Sequence, residues 1–350
     1  MLERPTIRDV AKLANVSIGT VDRVLHNRGG VSIETAKIVK EAVQKLNYKP
    51  SKIAQALATH KKKIKLGVVY PDVEHYFWNE VYRGIKETQK NLEPYGVEII
   101  TKTMDTYNYQ EQLEVLEYLQ NKGINGVVMM PCHPSKLNKK IEDMFNQGIP
   151  VVNIISDAPK SKRICFIGLD DIKSGGLAGK LMELYLRGKG NVAVIGVHRD
   201  VLCIEDRVYG FVEKIQTEYP DINIIGIYNI SEHSKDEFNK YRYEVTKLTE
   251  NIIENTPELN GIYVTNSLTS CVGNVVLKYN KTDKIKIIGY ENSSEIRDLI
   301  NKEVINATIY RNQFKEVVLA LNILYDYITT KKIESNSVYT ELGIMIKESI

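Results

Sequence analysis

The chain has 350 residues, which is too long for one ordinary domain and indicates two or three. Its composition, 43% hydrophobic and 26% charged, is that of a globular protein, and its apolar runs are far shorter than the ~20 residues of a membrane-spanning helix. The four cysteines form no CxxC pair, which favours reduced thiols in a cytosolic protein over a disulfide framework or a zinc site.

The net charge of +3 conceals an uneven distribution along the chain. Residues 1–63 hold 13 Lys and Arg against 5 Asp and Glu, a net charge of +8, whereas the remaining residues carry a net charge of −5. A basic segment on an acidic body is typical of a nucleic-acid-binding module beside a domain with another ligand. The alternative is a solvated basic tail. Met1–Pro5 lacks the apolar core of a signal peptide, so we expect a cytoplasmic protein.

Two short helices around a tight turn are predicted first. Thr6 can N-cap a helix that starts at Ile7, because the apolar residues after it recur at helical spacing. Asn15 follows where the chain must turn, and asparagine is one of the few residues besides glycine that tolerate a positive φ. Ser17 can cap a second helix, Ile18–Leu25. This arrangement is the helix-turn-helix unit, and it argues against a basic tail.

A third helix and a shorter helical segment follow the chain break at Gly29 and Gly30. The third helix starts at Ser32 and closes a small apolar core. Ser51–Ala58 has helical spacing but few apolar residues, and one or two turns of isolated helix are unstable in water. We therefore expect a partner to order this segment. A basic stretch, His60–Lys63, joins it to the rest of the chain.

The run TIRDVAKLANVSIGTVDRVLHNRGGVSIETAKIVKEAVQKLNYKPSKIAQALA, residues 6–58, closely resembles the DNA-binding headpiece of the LacI/GalR (lactose-repressor) family. The match extends over more than fifty consecutive residues without a gap. The resemblance implies that Ile18–Leu25 enters the major groove and that Ser51–Ala58 is a hinge helix. It further implies that this helix pairs with its copy in a dimer and inserts Leu57 into the minor groove, where bending the DNA offsets the cost of unstacking.

The same resemblance implies DNA contacts at individual positions. Ile18, Gly19 and Asp22 would face base edges, and their neighbours would approach phosphates or bases. Asp22 departs from the Ser or Ala of many members: a carboxylate there either accepts from a cytosine amine or pairs with a cation, and both interpretations stay open. Asn15 stands where the family often has glycine. The complete set of implied DNA-binding residues is Thr6, Ser17, Ile18, Gly19, Thr20, Asp22, Arg23, Ser32, Ser51, Ala54 and Leu57.

From Lys65 onward, short apolar strands alternate with amphipathic helices, which indicates parallel sheets in doubly wound α/β lobes. About ten strands exceed one domain, so we expect two lobes. The predicted boundaries are 1–50 for an all-α helix-turn-helix headpiece, 51–63 for a hinge helix and linker, and 64–350 for a two-lobed ligand-binding and dimerisation domain. The delimited strands are Leu66–Tyr70, Asn125–Met130, Val151–Ile155, Val192–Gly196, Ile222–Ile225, Gly261–Thr265 and Ile285–Gly289.

Sequence motifs of cofactor and catalytic sites are missing. The chain has no GxGxxG, and its six histidines form no HxxxH or HExxH pair. Ser174–Leu181 is similar to a phosphate-binding loop but lacks the first glycine and the final Ser or Thr, so we interpret it as close helix packing. We therefore predict no cofactor, no metal site and no catalytic residue, and we do not expect an enzyme.

Segments between Lys65 and Ile328, among them YPDVEHYFWNEVYRGI and IGLDDIKSGGLAGKL, resemble the periplasmic binding protein type I fold that the same regulator family uses. In that fold two lobes joined by crossovers close on a ligand at the carboxyl ends of their strands, where open α/β sheets usually bind ligands. The resemblance implies that aromatic residues of the first lobe stack on a sugar and that polar residues of the second lobe fix it. The implied ligand-binding residues are His75, Phe77, Trp78, Arg207, Asn266, Glu291 and Arg311.

These positions also have structural interpretations. The only tryptophan could be a core residue, as most tryptophans are. Arg207 could form an ion pair with Asp206 or Glu205, its neighbours in the chain. Glu291 and Arg311 depart from the common Asp and Gln of the family and could pair with each other across the cleft.

The sequence thus predicts a DNA-binding transcriptional regulator, a repressor that binds a near-palindromic operator as a homodimer under the control of a small-molecule effector. A monosaccharide or close derivative is expected, because an aromatic side chain can cover its apolar ring face and donors and acceptors can pair with its polar rim. Two arginines leave an acidic sugar or another carboxylate as an alternative. The alternative function, a solute-binding protein of a sugar transporter, would require a signal peptide and no basic headpiece.

Overall fold

The computed structural model describes residues 5, 7–25, 29–46, 63–71, 75–104, 107–197, 200–230 and 237–350. The chain divides into two compact units, of which the smaller comprises Met1–Lys63 and Leu92–Val97 and the larger comprises Ile64–Asn91 and Glu98–Ile350. Within the described ranges, no helix is long and apolar enough to cross a membrane.

The headpiece contains the helices α1 (Ile7–Leu13), α2 (Ile18–Leu25) and α3 (Ile33–Lys45). The three predicted helices are confirmed. Asn15 adopts a φ of 51° at the turn between α1 and α2, as its position in the sequence predicts. The Oγ of Ser17 accepts the backbone N–H of Thr20 at 3.1 Å, and the Oγ of Ser32 accepts that of Thr35 at 3.1 Å. Each serine thereby satisfies an N–H that the helix itself leaves without a partner.

One small apolar core holds the three helices together. Val10 of α1, Val21 of α2 and Val39 of α3 are completely buried and belong to the same cluster. Because α2 buries Val21 and Val24, the residues Ile18, Gly19 and Arg23 are left exposed on the surface of the headpiece.

The larger unit alternates strands and helices over its whole length. In chain order the elements are β1 (Ile64–Pro71), α4 (His75–Leu92), β2 (Val97–Met104), α5 (Tyr109–Asn121), β3 (Gly126–Met129), α6 (Pro134–Asn146), β4 (Val151–Ile154), β5 (Cys165–Gly168), α7 (Asp171–Leu186), β6 (Gly190–Val197), α8 (Leu202–Glu218), β7 (Ile222–Ile230), α9 (Glu237–Asn255), β8 (Leu259–Val264), α10 (Thr269–Lys278), β9 (Lys286–Tyr290), α11 (Ser294–Asn301), β10 (Ala307–Tyr310), α12 (Gln313–Thr330), β11 (Ser337–Tyr339) and β12 (Gly343–Met345). Short 3-10 turns lie at Glu93–Tyr95 and Lys347–Ser349.

These strands form two six-stranded sheets, one in each lobe. The first has the order β11-β5-β4-β3-β1-β2 and the second the order β12-β10-β9-β8-β6-β7. Strands β1, β3, β4, β5 and β11 run parallel to their described neighbours, as do β6 to β10, whereas β12 is antiparallel to β10. In the first lobe Leu66 pairs with Gly126, and in the second Val194 pairs with Tyr263. The predicted pair of doubly wound α/β lobes is confirmed.

The chain crosses between the lobes three times. It leaves the first lobe between β5 and α7, returns between β10 and α12, and leaves again between β11 and β12. Helix α12 packs on the first sheet, where the side chain of Leu324 lies directly over Gly126 of β3. Helix α7 packs on the second sheet, with Met182 in one apolar cluster with Tyr263. The residues at these crossovers are therefore the ones that a change in the angle between the lobes would move.

Helices α7 and α8 pack closely because each presents a glycine to the other. A Cβ atom on Gly175 would collide with the carbonyl of Arg207, and one on Gly210 would collide with the carbonyl of Ile172. The interpretation of Ser174–Leu181 as a helix-packing segment is confirmed. The close approach also brings the start of α7 beside Arg207, at the edge of the cleft between the lobes.

Candidate functional site

The headpiece presents a polar face on α2 and at the start of α3. Ser17, Ile18, Gly19, Arg23 and Ser32 are exposed, whereas Thr20 and Asp22 are half-buried. Ile18 is 45% exposed, although a large apolar side chain contributes more to the stability of a fold when it is buried in the core. The other predicted DNA-binding residues, Thr6, Ser51, Ala54 and Leu57, and with them the predicted hinge helix, lie outside the described residues.

The larger unit contains a cleft of about 470 Å³, including the solvent at its mouth, between the carboxyl ends of the two parallel sheets. This is the position at which open α/β folds usually bind ligands. The sequence-predicted residues Phe77, Trp78, Arg207, Asn266, Glu291 and Arg311 all line it. His75 begins α4 nearby, and its side chain lies outside the description. The remaining lining residues are Tyr107, Met130, Ile155, Val201, Cys203, Ile204 and Ser267.

Trp78 belongs both to the core and to the cleft wall. Its side chain is 1% exposed, stacks on Tyr70 with ring centroids 5.0 Å apart, and meets the edge of Phe77 at 4.8 Å. The indole Nε1 has no hydrogen-bond partner in the part of the chain that the structure describes. The interpretation as a core residue therefore explains the packing of the ring but leaves its polar atom unexplained.

Arg207 is held rigidly at the second-lobe wall. Its Nε donates to Oδ1 of Asp171 at 2.7 Å and its Nη1 donates to the carbonyl of Thr265 at 2.8 Å. The guanidinium lies 3.9 Å from the ring centroid of Tyr290, within the range of a cation–π contact. Burial alone would lower the pKa of Arg207, but the carboxylate of Asp171 raises it well above its usual value.

The ion-pair partner of Arg207 is thus a residue of α7, not Asp206 or Glu205 as the sequence suggested. Residues one and two positions apart on a helix do not face each other, so a neighbour in α8 is poorly placed to pair with Arg207. The close packing of α7 and α8 supplies Asp171 instead.

Arg311 lies at the crossover between β10 and α12. Its Nη1 donates to the carbonyl of Ile155 at 3.2 Å, while its Nε is 3.4 Å from Oε1 of Glu316 and its Nη2 is 3.7 Å from Oδ2 of Asp171. These contacts leave Nε and Nη2 without a hydrogen bond among the described residues. The ion pairs found for Arg311 do not include Glu291, whose Oε2 accepts from Gln313 at 3.0 Å, so the expected pairing across the cleft is wrong.

The sequence reasoning missed the seven further lining residues, among them Ile155, and the two carboxylates that pair with the lining arginines, Asp171 and Glu316. Asp171 stands at the start of a helix directly after a buried strand, a placement that could have identified it as a candidate. Glu316 is completely buried within α12, and nothing in its local sequence distinguishes it from an exposed glutamate. Ile155 has a φ of 69°, which for a β-branched residue is a genuine outlier that costs about 1–3 kcal/mol.

The two lobes contact each other beside the cleft. The backbone N–H of Cys203 donates to Oγ of Ser156 at 3.3 Å, and Arg311 reaches the carbonyl of Ile155 as described above. Burial raises the pKa of the Cys203 thiol to about 11, so this thiol stays protonated at neutral pH. No group of three or more potential metal ligands occurs among the residues with described positions.

Two family models match successive parts of the chain. A model described as "Bacterial regulatory proteins, lacI family" matches residues 6–51, and one described as "Periplasmic binding protein domain" matches residues 66–332. The first match covers the headpiece helices, and the second covers nearly all of the two-lobed unit.

Curated relatives of similar sequence are transcriptional regulators by name. The chain is 29% identical over 266 residues to a ribose operon repressor of Halalkalibacterium halodurans, covering 76% of this chain and 72% of that one. It is 29% identical over 214 residues to the HTH-type transcriptional regulator RegA of Clostridium saccharobutylicum, covering 61% of each chain. It is 27% identical over 209 residues to catabolite control protein A of Staphylococcus aureus, covering 59% of this chain and 60% of the relative.

Solved structures with the same fold are sugar-binding or solute-binding proteins by title. A glucose-galactose binding protein from Geobacillus stearothermophilus has a TM-score of 0.74 at 24% identity, over 83% of this chain and 99% of that one. A solute-binding protein from Burkholderia graminis in complex with D-arabinose has a TM-score of 0.74 at 18% identity, over 82% and 96%. At these identities the likeness establishes the fold of the two lobes.

Proposed function

The chain belongs to the LacI family of bacterial regulatory proteins, and from this premise we propose that it is a transcriptional repressor whose operator affinity is controlled by a neutral monosaccharide or a close derivative. It acts in the cytoplasm as a homodimer on a near-palindromic operator, because one headpiece offers too small an interface for the usual specific affinity. It carries no catalytic activity: its curated relatives are regulators by name, and its cleft presents a protonated thiol and paired charges.

Unpaired hydrogen-bond donors at the cleft are the observation that carries the proposal. Nε1 of Trp78 and Nδ2 of Asn266 are buried and have no hydrogen-bond partner within the described ranges. A buried donor without a partner costs about 1–3 kcal/mol, so two of them around one cleft favour a ligand with acceptors. Glu291 adds an acceptor to the same wall. Hydroxyl groups both donate and accept, and a sugar carries several of them on an apolar ring.

The charges at the cleft favour a neutral ligand over an acidic one. Arg207 is paired with Asp171, and Arg311 lies between Asp171 and Glu316, so both cations already have carboxylate partners from the protein. Glu291 adds a further carboxylate at the cleft wall. A ligand carboxylate would therefore enter a site without an uncompensated positive charge. Among the two ligand classes that the sequence left open, this arrangement supports the neutral sugar.

The headpiece favours the regulator over the alternative of a transporter's solute-binding protein. The two-lobed unit alone is compatible with either function, because solved structures that share its fold are sugar-binding or solute-binding proteins by title. A basic three-helix headpiece with an exposed face on α2 would serve no purpose in solute transport, whereas in a regulator that face enters the major groove.

Calorimetry on the full chain with matched sugars tests the ligand class. D-glucose, D-galactose, D-ribose and L-arabinose are compared with the uronates of glucose and galactose. We expect at least one neutral sugar to bind and the uronates not to bind. Asn266→Ala, which removes one unpaired donor, should weaken sugar binding, whereas Asn274→Ala on the exposed face of α10 should leave it unchanged. Binding of uronates alone, or undiminished binding by Asn266→Ala, would contradict the proposal.

Footprinting on the DNA upstream of the protein's own coding region tests the regulatory function. We expect protection of two half-sites related by approximate two-fold symmetry, and weaker protection when the bound sugar is added. A footprint of a single half-site, or protection that no binding sugar changes, would contradict the assignment.

A further inference from the structure

The two walls of the cleft differ in chemistry. Within the described ranges, the charged and amide side chains that line it come from the second lobe or the crossover after β10: Arg207, Asn266, Glu291 and Arg311. The first lobe contributes Phe77, Trp78, Tyr107, Met130 and Ile155, whose lining side chains are hydrocarbon, thioether and aromatic. Among the first-lobe residues that the structure describes at the cleft, only the indole N–H and the phenolic hydroxyl interrupt this apolar wall.

Ile155 occupies a position at which the backbone conformation disfavours it. Its φ of 69° lies in the left-handed region, where asparagine, aspartate and glycine are far better tolerated than a β-branched residue. The conformation is fixed by backbone hydrogen bonds on both sides: the N–H donates to the carbonyl of Ile167 at 3.1 Å, and the carbonyl accepts from Arg311 at 3.2 Å. The side chain is 3% exposed and lines the cleft. Asparagine or aspartate would adopt this backbone conformation more readily, so the apolar side chain of Ile155 serves the cleft and not the backbone.

We propose that the effector is a deoxy sugar, bound with its deoxygenated edge against Ile155 and Met130 and its hydroxylated edge against the second-lobe wall. This inference rests on the proposed function and narrows its ligand class. A hydroxyl pointing at the Ile155–Met130 wall would lose its water and find no partner there, whereas a methyl or methylene group would bury apolar surface. An apolar pocket rejects an added hydroxyl by up to about 100-fold, so a discrimination of about 10- to 100-fold is expected.

Matched pairs of sugars that differ in one hydroxyl test the proposal on the full chain. The pairs are L-fucose with L-galactose, D-fucose with D-galactose, L-rhamnose with L-mannose, 6-deoxy-D-glucose with D-glucose, and 2-deoxy-D-ribose with D-ribose. Calorimetry measures the affinity ratio of each pair. We expect at least one deoxy sugar to bind 10-fold or more tightly than its parent. If the parents bind as tightly as the deoxy sugars, or more tightly, the inference is overturned and the proposed function stands. If neither member of any pair binds, the proposed function fails with it.

Substitutions of the wall then test which side chain sets the preference. Ile155→Asn supplies a polar group that tolerates the positive φ and should reduce the affinity ratio at least 10-fold, whereas Ile155→Val keeps an apolar β-branched side chain and should preserve it. Met130→Gln likewise introduces a polar side chain into the wall. It is used in place of Ile155→Asn if the Ile155→Asn protein does not unfold cooperatively on heating. A ratio that stays the same in the folded polar variant would overturn the assignment of the preference to this wall.

Discussion

Arg311 and Glu316 form a buried ion pair at the crossover from the second lobe to the first, with Nε and Oε1 3.4 Å apart and side chains that are 1% and 0% exposed. The same Oε1 accepts from the hydroxyl of Thr340 in the third crossover at 2.8 Å. Asp171, at the first crossover, lies 3.7 Å from the other side of the Arg311 guanidinium. One cluster therefore connects all three crossovers to a side chain that lines the cleft, so a ligand that moves Arg311 acts directly on the joint between the lobes.

Arg311→Met should lower the free energy of unfolding of the full chain by about 3 kcal/mol, because removing one partner of a buried ion pair leaves the other charge uncompensated. Burial alone would lower the pKa of Arg311, but the carboxylates of Glu316 and Asp171 raise it above its usual value, so the fold favours the charged guanidinium. Urea unfolding measures the change. Glu218→Gln removes a half-exposed partner of Lys214 and should have a much smaller effect, because surface ion pairs contribute little. Equal costs for the two variants would contradict the role given to the cluster.

Asp206→Asn should stabilise the protein at pH 7.5 and have little effect at pH 4. Burial, followed by the charges of Asp171 and Glu205, raises the pKa of Asp206 to about 6 from an ordinary 3.8. A raised carboxyl pKa means that the folded state binds the proton more tightly, so ionisation destabilises the fold progressively as the pH rises from about 4 to above 6. Partial exposure limits the effect to about 1–2 kcal/mol. Thermal melts across this pH range measure it, with the exposed Asp283→Asn as control; identical profiles for the two variants would contradict it.

The sequence predicts the fold well because its signals are local. The buried strands appear as apolar runs of four to six residues, and all seven delimited strands exist, with β7 extending to Ile230 beyond the predicted end. The buried four-residue strands β5 and β10 were not delimited, and neither was the edge strand β2, whose residues alternate irregularly between buried and exposed. Strands β11 and β12 span three residues each and bury little, so no periodic pattern marks them.

The cleft is less predictable, because its partners come from distant parts of the chain. The family resemblance identified six residues that line one cleft. It did not identify their partners, because the pairing of Arg207 with Asp171 depends on how closely two helices pack. The pairing of Arg311 with Glu316 depends on the path of the chain at a crossover. The left-handed backbone of Ile155 could not be foreseen, because nothing in an isoleucine predicts a positive φ.

Arg23→Ala should weaken binding to all DNA sequences and reduce the slope of log affinity against log salt by about one, because one phosphate contact is lost. Arg23 is exposed at the end of α2, on the face that the family resemblance directs at DNA. Lys40→Ala removes the same charge from an exposed position on α3 and should leave the slope unchanged. Fluorescence anisotropy at several salt concentrations measures both. A slope reduced equally by the two variants would indicate a general charge effect and contradict the docking face.

Leu57→Ala should weaken specific binding and reduce bending of the DNA while leaving the headpiece folded. The family resemblance gives Leu57 a role at the minor groove, and the described residues that form the core of α1, α2 and α3 all lie between Ile7 and Leu46. Gel mobility of circularly permuted operator fragments measures the bend, and hydrogen exchange of the headpiece checks the fold. Wild-type affinity and bend angle in this variant would contradict the assignment of 51–58 as a hinge helix.

Trp78→Phe should weaken sugar binding by about 2- to 10-fold, the effect of one neutral hydrogen bond, because it removes the unpaired Nε1 donor and keeps an aromatic ring against Tyr70 and Phe77. Operator affinity without sugar should stay unchanged, since this ring lies in the larger unit and outside the DNA-binding face. The sugar concentration that releases the operator should rise by the same factor as the dissociation constant.

Linkage also requires that the operator weaken sugar binding by the factor by which the sugar weakens operator binding. Calorimetry with and without saturating operator measures this factor in one direction and anisotropy measures it in the other. A sugar that binds equally well in both conditions would show that the cleft and the headpiece are not coupled, whatever residues hold the ligand.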